Sequence, residues 1–517
     1  MERTQKKGLL GGVLLLSASG ILVKLMGFLY RVPLNAVLGD EMANVNAALS
    51  VWAVLYTVTT AGIPTALSVL TAEARAEGRE PRALLRPALW LLSAVGLAGA
   101  VLLLLLAPAL SRATAEGESL PALLAIAPAL CFVAPACVLR GYCQGEGRMA
   151  PTAAAELWEA AGKMGLGLLL AHLALRFGAS HRDAAALSLL GIGAGAALSL
   201  LSLILALRGR AKVAPARGMG RRILAISLPI MAVSLLLNLS AFADASLMRP
   251  LLARAFGDGE WAKQVYSDYS TGALTLFHLP SVFIAPLSVA LIPRISERRA
   301  RGEDAAREAR LALRMTSLLG LFAAAVLFFL GRELLSLLFA SDPTMVKNAG
   351  ELLSLLAFAV WPLSLFTVSC GILSCLRLQK KAVPFLLLGL ALKVGAALLT
   401  PVLGAAAFPL GTLLFYGVGA FGNLLLLHRF LGSRLSLGQF FLRPLAAALL
   451  SGGGMKAVHL ALHPRLGILA LFPALLLGGI LGLALAALFG CVGREEWELL
   501  PLPRRFFKIK DKERQQR

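Results

Sequence analysis

Acidic residues are scarce in this chain. Of 517 residues only 28 are Asp or Glu, against 50 Lys or Arg, which leaves a formal charge of +22. Histidine and cysteine are rarer still, at six each, and they do not gather. Cys131, Cys137, Cys143, Cys370, Cys375 and Cys491 keep no metal-ligand spacing with any histidine, so neither a metal centre nor another cofactor is expected. All six fall inside apolar stretches or near their basic ends, in a reducing setting that disfavours disulfides. No paired carboxylates stand on a polar domain, and no motif for phosphate cleavage or glycosyl transfer is present, which argues against an enzyme. The first apolar stretch holds Lys24 and ends in Tyr30, Arg31, Val32 and Pro33 without a small-residue cleavage site, so it reads as an uncleaved helix.

Apolar residues fill the space that charge leaves. They make up 58% of the chain, and the mean hydropathy is +0.78, more than a water-soluble core of this length can hide. A run of about 18 or more apolar residues crosses the hydrocarbon as a helix, since roughly 20 residues at 1.5 Å each span it. Such runs occur near 9–33, 46–71, 87–110, 121–140, 151–174, 185–207, 222–248, 268–293, 311–331, 348–376, 384–402, 406–428, 441–461 and 467–490. The sequence therefore predicts an all-α polytopic membrane protein of about 14 transmembrane helices.

Basic residues set the sidedness. With the N-terminus inside, the cytoplasmic segments carry 36 of the 50 Lys and Arg, the outer segments 9, and the spans 5. A fourfold excess in this direction obeys the positive-inside rule and puts both termini in the cytoplasm of a cell-membrane protein. The net charge then needs no nucleic acid to explain it, because it is spread over separate loops rather than one stripe.

The halves repeat. Ile63, Pro64, Thr65, Ala66, Leu67 and Ser68 lead into Glu73–Gly78, while Ala285, Pro286, Leu287 and Ser288 lead into Glu297–Gly302. Gln144–Pro151 is answered by Gln379–Pro384. Both matches lie six helices apart, an even number, so the copies share one orientation. Two parallel six-helix lobes are expected, 1–210 and 211–430, followed by helices 13 and 14 over 431–493 and a basic cytoplasmic tail over 494–517. Lobes of this kind bind substrate between them and rock to alternate access. The basic segment Arg208–Arg222 joins them, and Phe506 and Phe507 in the tail are placed to meet anionic membrane lipids.

A charge at the bilayer centre costs about 2.5–3.5 kcal/mol on insertion scales, so each one within a span needs a reason. The candidates are Lys24 and Arg31 in helix 1, Arg140 at the end of helix 4, and Glu156, Glu159 and Lys163 in helix 5. Asp244 and Arg249 follow in helix 7, Lys393 in helix 11 and Lys456 in helix 13. Glu159 and Lys163 are spaced i, i+4 and either bridge each other or face a cavity. Arg31, Arg140 and Arg249 lie near interfaces and either snorkel or point inward; Lys456 reads as peripheral. Lys24 has no acidic residue at i±3 or i±4 and reads as a cavity cation. His278 is a packed or a titrating residue. Six cations, Lys24, Arg31, Arg140, Lys163, Arg249 and Lys393, stand against Glu156, Glu159 and Asp244. That surplus suits an anionic substrate such as a phosphate or pyrophosphate and suits a drug cation poorly. Pro64 and Pro286, at equivalent places in the lobes, are candidate bends lining the cavity.

The run KLMGFLYRVP over Lys24–Pro33, then Gly39-Asp40-Glu41 and Thr60-Ala61-Gly62-Ile63-Pro64, resembles the stage V sporulation protein B and polysaccharide biosynthesis family. So do Arg140–Gly145, Met149–Thr152, Ser227–Ile230 and Asp244. That branch belongs to the multidrug/oligosaccharidyl-lipid/polysaccharide exporter superfamily. The resemblance implies two six-helix lobes around a central cavity, and outward flipping of an undecaprenyl-pyrophosphate-linked sugar or glycopeptide across the bacterial inner membrane. It also implies a basic residue two places before the Met-Gly-Phe of helix 1, where Lys24 stands; Arg31 falls one residue later than the second arginine of the lipid II flippases. Three readings follow: a flippase for a lipid-linked anionic precursor, a multidrug antiporter of the same fold, or a non-transporting scaffold of cell-wall or spore-cortex assembly. A transporter is expected to act as a monomer, driven by sodium, protons or the membrane potential.

The topology has a direct check. In a cysteine-free background, a cysteine at Met42 is expected to react with an impermeant thiol reagent added outside intact cells, and one at Ala305 only after lysis. The reverse pattern inverts the orientation.

Overall fold

The computed structural model describes residues 2–76, 78, 80–115, 118–208, 219–284, 295, 305–340, 342–376, 378–431 and 438–491. The Pro286 motif, most of the Arg208–Arg222 connection, Glu297–Gly302 and the tail from residue 492 lie outside them. The described residues are nearly all helical and contain no strand. In chain order the α-helices are α1 (Glu2–Leu38), α2 (Met42–Thr60), α3 (Ile63–Ala76), α4 (Leu85–Ala115), α5 (Leu120–Ile126), α6 (Ala129–Gly145), α7 (Met149–Arg176), α8 (His181–Leu207) and α9 (Met219–Phe256). There follow α10 (Gly259–Ser267), α11 (Leu274–His278), α12 (Ala305–Leu338), α13 (Pro343–Cys375), α14 (Gln379–Ala397), α15 (Thr400–Leu403), α16 (Ala407–Leu431), α17 (Arg443–Leu466) and α18 (Leu471–Leu488).

Nine stretches of described helix are long and apolar enough to cross a membrane, and two of them, Ala18–Thr71 and Gly438–Leu488, run to 54 and 51 residues, enough to cross twice. Helices α7 and α14, of 28 and 19 residues, fall outside those nine, and both carry ionic side chains within the apolar run. An all-helical polytopic architecture is therefore present, and the count of about fourteen remains an expectation of the sequence.

Apolar packing separates two bundles. Cores from Tyr30 to Ile192 and from Ile63 to Leu203 belong to the first half, the latter joined by Ile223 of α9, with Leu103, Leu123, Ile126 and Tyr142 fully buried. A larger core runs from Leu236 to Phe440 in the second half and borrows Ala43 and Ala47 from α2. The last two helices pack on each other and on α12, where Leu330 meets Met455 and Leu471.

Two local features position the site. The second apolar run is broken rather than merely bent at Pro64: α2 ends at Thr60, Ala61 turns extended at ψ 134°, and Gly62 takes φ +75° before α3 begins. A Cβ on Gly62 would lie 2.8 Å from the carbonyl oxygen of Ser227 in α9, so the break is where the first bundle touches the second. Elsewhere α7 and α8 meet along a glycine seam. A Cβ at Gly195 would stand 2.4 Å from the Glu159 carbonyl oxygen, and one at Gly191 would stand 2.6 Å from the Gly167 nitrogen. Such small-residue contacts let membrane helices approach closely, and this one fixes the face of α7 that carries Glu156, Glu159 and Lys163.

Adding a methyl group at the break is costly twice over, through its backbone angle and through Ser227. Gly62→Ala is expected to destabilise the purified protein by about 1–3 kcal/mol, read as a lower Tm, whereas Gly20→Ala, with open space around it, is expected to leave Tm unchanged.

Candidate functional site

Charges of the first bundle gather on α6 and α7. Arg140 reaches across from α6 to bind the Glu159 carboxylate and also donates to Ser199 Oγ at 2.6 Å. Glu159 thus pairs with Arg140 and not with Lys163, one turn away on its own helix. A guanidinium can hold a carboxylate and a hydroxyl together, and the glycine seam brings Ser199 of α8 within its reach. Tyr56 and Cys137 lie beside this pair. Glu156 accepts a hydrogen bond from Ser19 Oγ at 3.3 Å, tying α7 to α1. Lys163 is half-buried and makes no hydrogen bond or ion pair with any described residue; its charged neighbours are Arg31 and Glu159.

Arg31 does not snorkel. Its Nη1 donates to the Ser270 carbonyl at 2.9 Å and to Thr275 Oγ1 at 2.8 Å, so helix α1 holds the second bundle. Asn46 of α2 adds bonds to Ser270 Oγ at 3.0 Å and Thr271 Oγ1 at 2.8 Å. The acceptor segment Asp268–Ala273 is a π-helical turn. Such turns displace carbonyls from the regular helical ladder and recur at functional sites.

Three cations approach His278 of α11. Lys24 and His278 are both exposed although each is surrounded by helices, and Arg31, Lys393 and Lys24 all lie within electrostatic reach of His278. His278 thus stands among cations, of which Lys393 is buried and already paired with Asp244. Lys24 makes no hydrogen bond or ion pair with any described residue.

In the second bundle Lys393 Nζ bonds Asp244 Oδ2 at 2.8 Å, Ser240 Oγ at 2.9 Å and Thr412 Oγ1 at 3.2 Å. Lys456 pairs with Glu333 of α12, which explains how α17 tolerates it.

A network of charges also joins the two bundles. Lys263 Nζ sits 2.8 Å from Glu41 Oε1 and 3.4 Å from Glu118 Oε2. Arg249 Nη2 binds Glu118 Oε2 at 3.0 Å, and Arg249 Nη1 donates to Asn44 Oδ1 at 3.4 Å. Asn44 in turn donates to Glu41 Oε2 at 2.6 Å. Arg249 is only 5% exposed, so it is a member of this network and not a headgroup anchor. Glu41, Asn44 and Glu118 come from the first bundle, Arg249 and Lys263 from the second. Burial alone works to raise the Glu118 carboxyl, but Lys263 and Arg249 outweigh it and hold it below the usual range. Burial likewise works against the Lys263 ammonium, yet Glu41 and Glu118 hold it above the usual lysine range.

Sequence reasoning missed Glu118 and Lys263, and the pairing of the motif residue Glu41 with them, because all three lie in short segments between the long apolar helices, where an isolated charge carries no signal. It missed Ser240 and Thr412 because hydroxyls in apolar helices are common.

With this geometry established, known proteins resemble the chain on two levels. It matches the family described as Polysaccharide biosynthesis protein over residues 9–298 and that described as Lipid II flippase MurJ over residues 173–488. The chain belongs to these polysaccharide biosynthesis and lipid II flippase families. Stage V sporulation protein B of Bacillus subtilis (strain 168) is 28% identical over 355 residues, which span 66% of this chain and 68% of that one. The solved structure of Lipid II flippase MurJ in an inward closed conformation shares the fold with a TM-score of 0.69 at 15% identity, covering 92% of this chain and 98% of that one. The eukaryotic MATE transporter AtDTX14 shares it with a TM-score of 0.61 at 17% identity, over 86% and 100%. The chain is thus a multi-pass membrane protein of the flippase branch of this superfamily. Within that fold the motif residue Gly141 packs on Pro64, where a Cβ would come within 2.6 Å of the Pro64 carbonyl oxygen.

The charge network predicts how the bundles part at the Glu41 end. Glu118→Gln or Lys263→Met is expected to raise the reactivity of a cysteine at Leu279 towards an impermeant reagent supplied at the Glu41 end, several-fold over the otherwise native, cysteine-free parent. Because the Glu118 carboxyl is held low, its contribution to closure is full above the ordinary carboxylate range and lost as pH falls through its depressed value. Because Lys263 is held high, its contribution is full at neutral pH and lost only in strong alkali. Labelling at Leu279, divided by that of a permanently exposed cysteine to remove the thiolate's own pH dependence, should therefore be flat near neutrality and rise in acid.

Proposed function

We propose that this protein flips an undecaprenyl-pyrophosphate-linked cell-wall precursor, a lipid II-like or oligosaccharide-bearing lipid, outward across the bacterial cell membrane by alternating access between its two bundles. The observation that carries this reading is the exposed Lys24, which has no hydrogen bond or ion pair with any described residue and lies within electrostatic reach of His278, with Arg31 beside His278 and Lys163 beside Arg31. An unpaired ammonium within a span is costly to keep. A doubly anionic headgroup that must itself cross a low-dielectric region repays that cost by binding there. Lys24 and Lys163 supply free point charges, and Arg31 supplies a fork whose remaining N–H groups stay available.

The other candidate side chains are engaged elsewhere. Arg140 and Glu156 bond Ser199 and Ser19, Asp244 and Lys393 bond each other, and Arg249 belongs to the network between the bundles. In this reading they shape the bundles while Lys24, Arg31 and Lys163 meet the headgroup. The positive-inside count puts the Glu41 end outside, so in this reading the network joins the bundles on the exterior side. Both termini then lie in the cytoplasm, the lobes correspond to 1–210 and 211–430, and the protein transports as a monomer without performing chemistry. A surplus of fixed cations also argues against a drug-cation antiporter.

Lys24→Ala is expected to insert and accumulate normally yet to lose precursor flipping, with Lys24→Arg retaining part of it, since a point charge and not a planar fork is being supplied. The measurement is translocation of a lipid-linked precursor into proteoliposomes at matched protein density. Full flipping by Lys24→Ala removes the anion-binding reading.

A further inference from the structure

The second bundle holds its own cation. Ser240 and Asp244 stand one turn apart on α9, Thr412 comes from α16, and the ammonium they surround arrives from α14 on the Lys393 stem. The three oxygens lie 2.8, 2.9 and 3.2 Å from Nζ. Every member is more than nine-tenths buried: Ser240 is 3% exposed, Asp244 4%, Lys393 4% and Thr412 3%. The hydroxyl of Tyr269 stands 3.4 Å from Thr412 Oγ1, and Tyr266 and Tyr416 lie near the carboxylate. The second carboxylate oxygen, Asp244 Oδ1, is buried without a hydrogen-bond partner among the described residues.

This arrangement differs from a plain salt bridge in two respects. A carboxylate alone neutralises an ammonium, yet here two hydroxyl oxygens from different helices also converge on the same nitrogen. One anionic oxygen and several neutral ones, all hard donors, form the kind of ligand set that binds a small hard cation from solution. Room for the stem is also built in. A Cβ on Gly411 would lie 3.0 Å from Lys393 Cγ and 3.1 Å from the Lys393 carbonyl oxygen, so the neighbour of Thr412 can carry no side chain while the lysine passes.

We propose that Asp244, Ser240 and Thr412 form an alkali-cation site which the Lys393 ammonium occupies as a tethered ion. The charge that would otherwise be taken from solution is supplied by the chain, and the bundle has no need of free sodium or potassium at this point. An ammonium and a potassium ion are similar in size and both accept an irregular oxygen shell, so removal of the lysine side chain leaves a site that potassium fills, or sodium with a retained water. The orphaned Asp244 Oδ1 is the additional ligand a free ion can take up. This inference concerns the interior of the second bundle and holds whatever the transported substrate is.

The test is thermal unfolding of the full chain in detergent, in potassium chloride, sodium chloride or N-methyl-D-glucamine chloride at equal ionic strength. Wild type is expected to give one Tm in all three. Lys393→Ala is expected to melt lower in N-methyl-D-glucamine and to recover by several degrees, saturably, in potassium or sodium, as a ligand that binds only the folded state requires. Lys393→Ala combined with Asp244→Asn should show no recovery. A folded Lys393→Ala protein whose Tm is the same in all three salts overturns the proposal, because it makes the lysine a structural partner only. Alkali-specific stabilisation of wild type overturns it as well, since the site would then not be filled. If Lys393→Ala fails to accumulate, Lys393→Ser carries the same expectations, and the wild-type comparison decides independently.

Discussion

An ionised side chain in hydrocarbon must find a counter-charge, a set of polar partners, or water, and the arrangement of this molecule follows from how each charge meets that demand. Arg140 with Glu159, Lys393 with Asp244, and Lys456 with Glu333 take the first solution. Arg31 takes the second, on a carbonyl and a hydroxyl of the opposite bundle. Lys24 is exposed and takes neither of these among the described residues. Each solution has a different consequence: the pairs fasten helices together, the arginine fastens bundles together, and the exposed lysine is left to meet something that arrives.

The same constraint separates rigid from movable parts. Within the second bundle the Asp244–Lys393 contact is dry, and removing either partner would strand a charge, so α9, α14 and α16 stay together. Between bundles, the network joins Glu41, Glu118 and Lys263, in short segments, to Arg249 of α9, with Glu118 about one-third exposed. Its members can be rehydrated when they part, which makes the contact reversible. In the proposed alternating-access cycle, opening would also release Arg31 and Asn46 from the π-helical turn at Asp268–Ala273, whose backbone departs from the regular α-helical ladder. The broken junction at Ala61–Gly62 lies against α9, where a rigid helix would resist a change of angle.

Some of the site was legible along the chain because its residues violate the apolar pattern. Lys24, Glu156, Lys163, Asp244 and Lys393 stand out in apolar runs, and the energetic cost of each marks it. Partner choice was not legible. Glu159 has Lys163 one turn away, an ordinary helical pair, yet it binds Arg140 because the α7–α8 glycine seam and the α6 crossing bring a fork closer than the lysine. Arg31 and Arg249 look like interfacial residues in one dimension, and only their neighbours from distant segments show that they bridge bundles. Glu118 and Lys263 give no one-dimensional signal, since a charge between the long apolar helices costs nothing until another segment covers it.

By itself the sequence determined that this chain spans a membrane many times, that its helices carry a biased basic topology, and that a few charges are kept where they are expensive. Hydropathy, loop charge and burial cost are sums over single residues, so they survive reading in one dimension. Tertiary structure decided which charges neutralise one another, which remain free, and which of them tie one bundle to the other. Those outcomes turn on distances of 2.8–3.4 Å between residues more than a hundred positions apart. No local pattern encodes such a distance; helix crossing angles, a glycine seam and one broken helix set it.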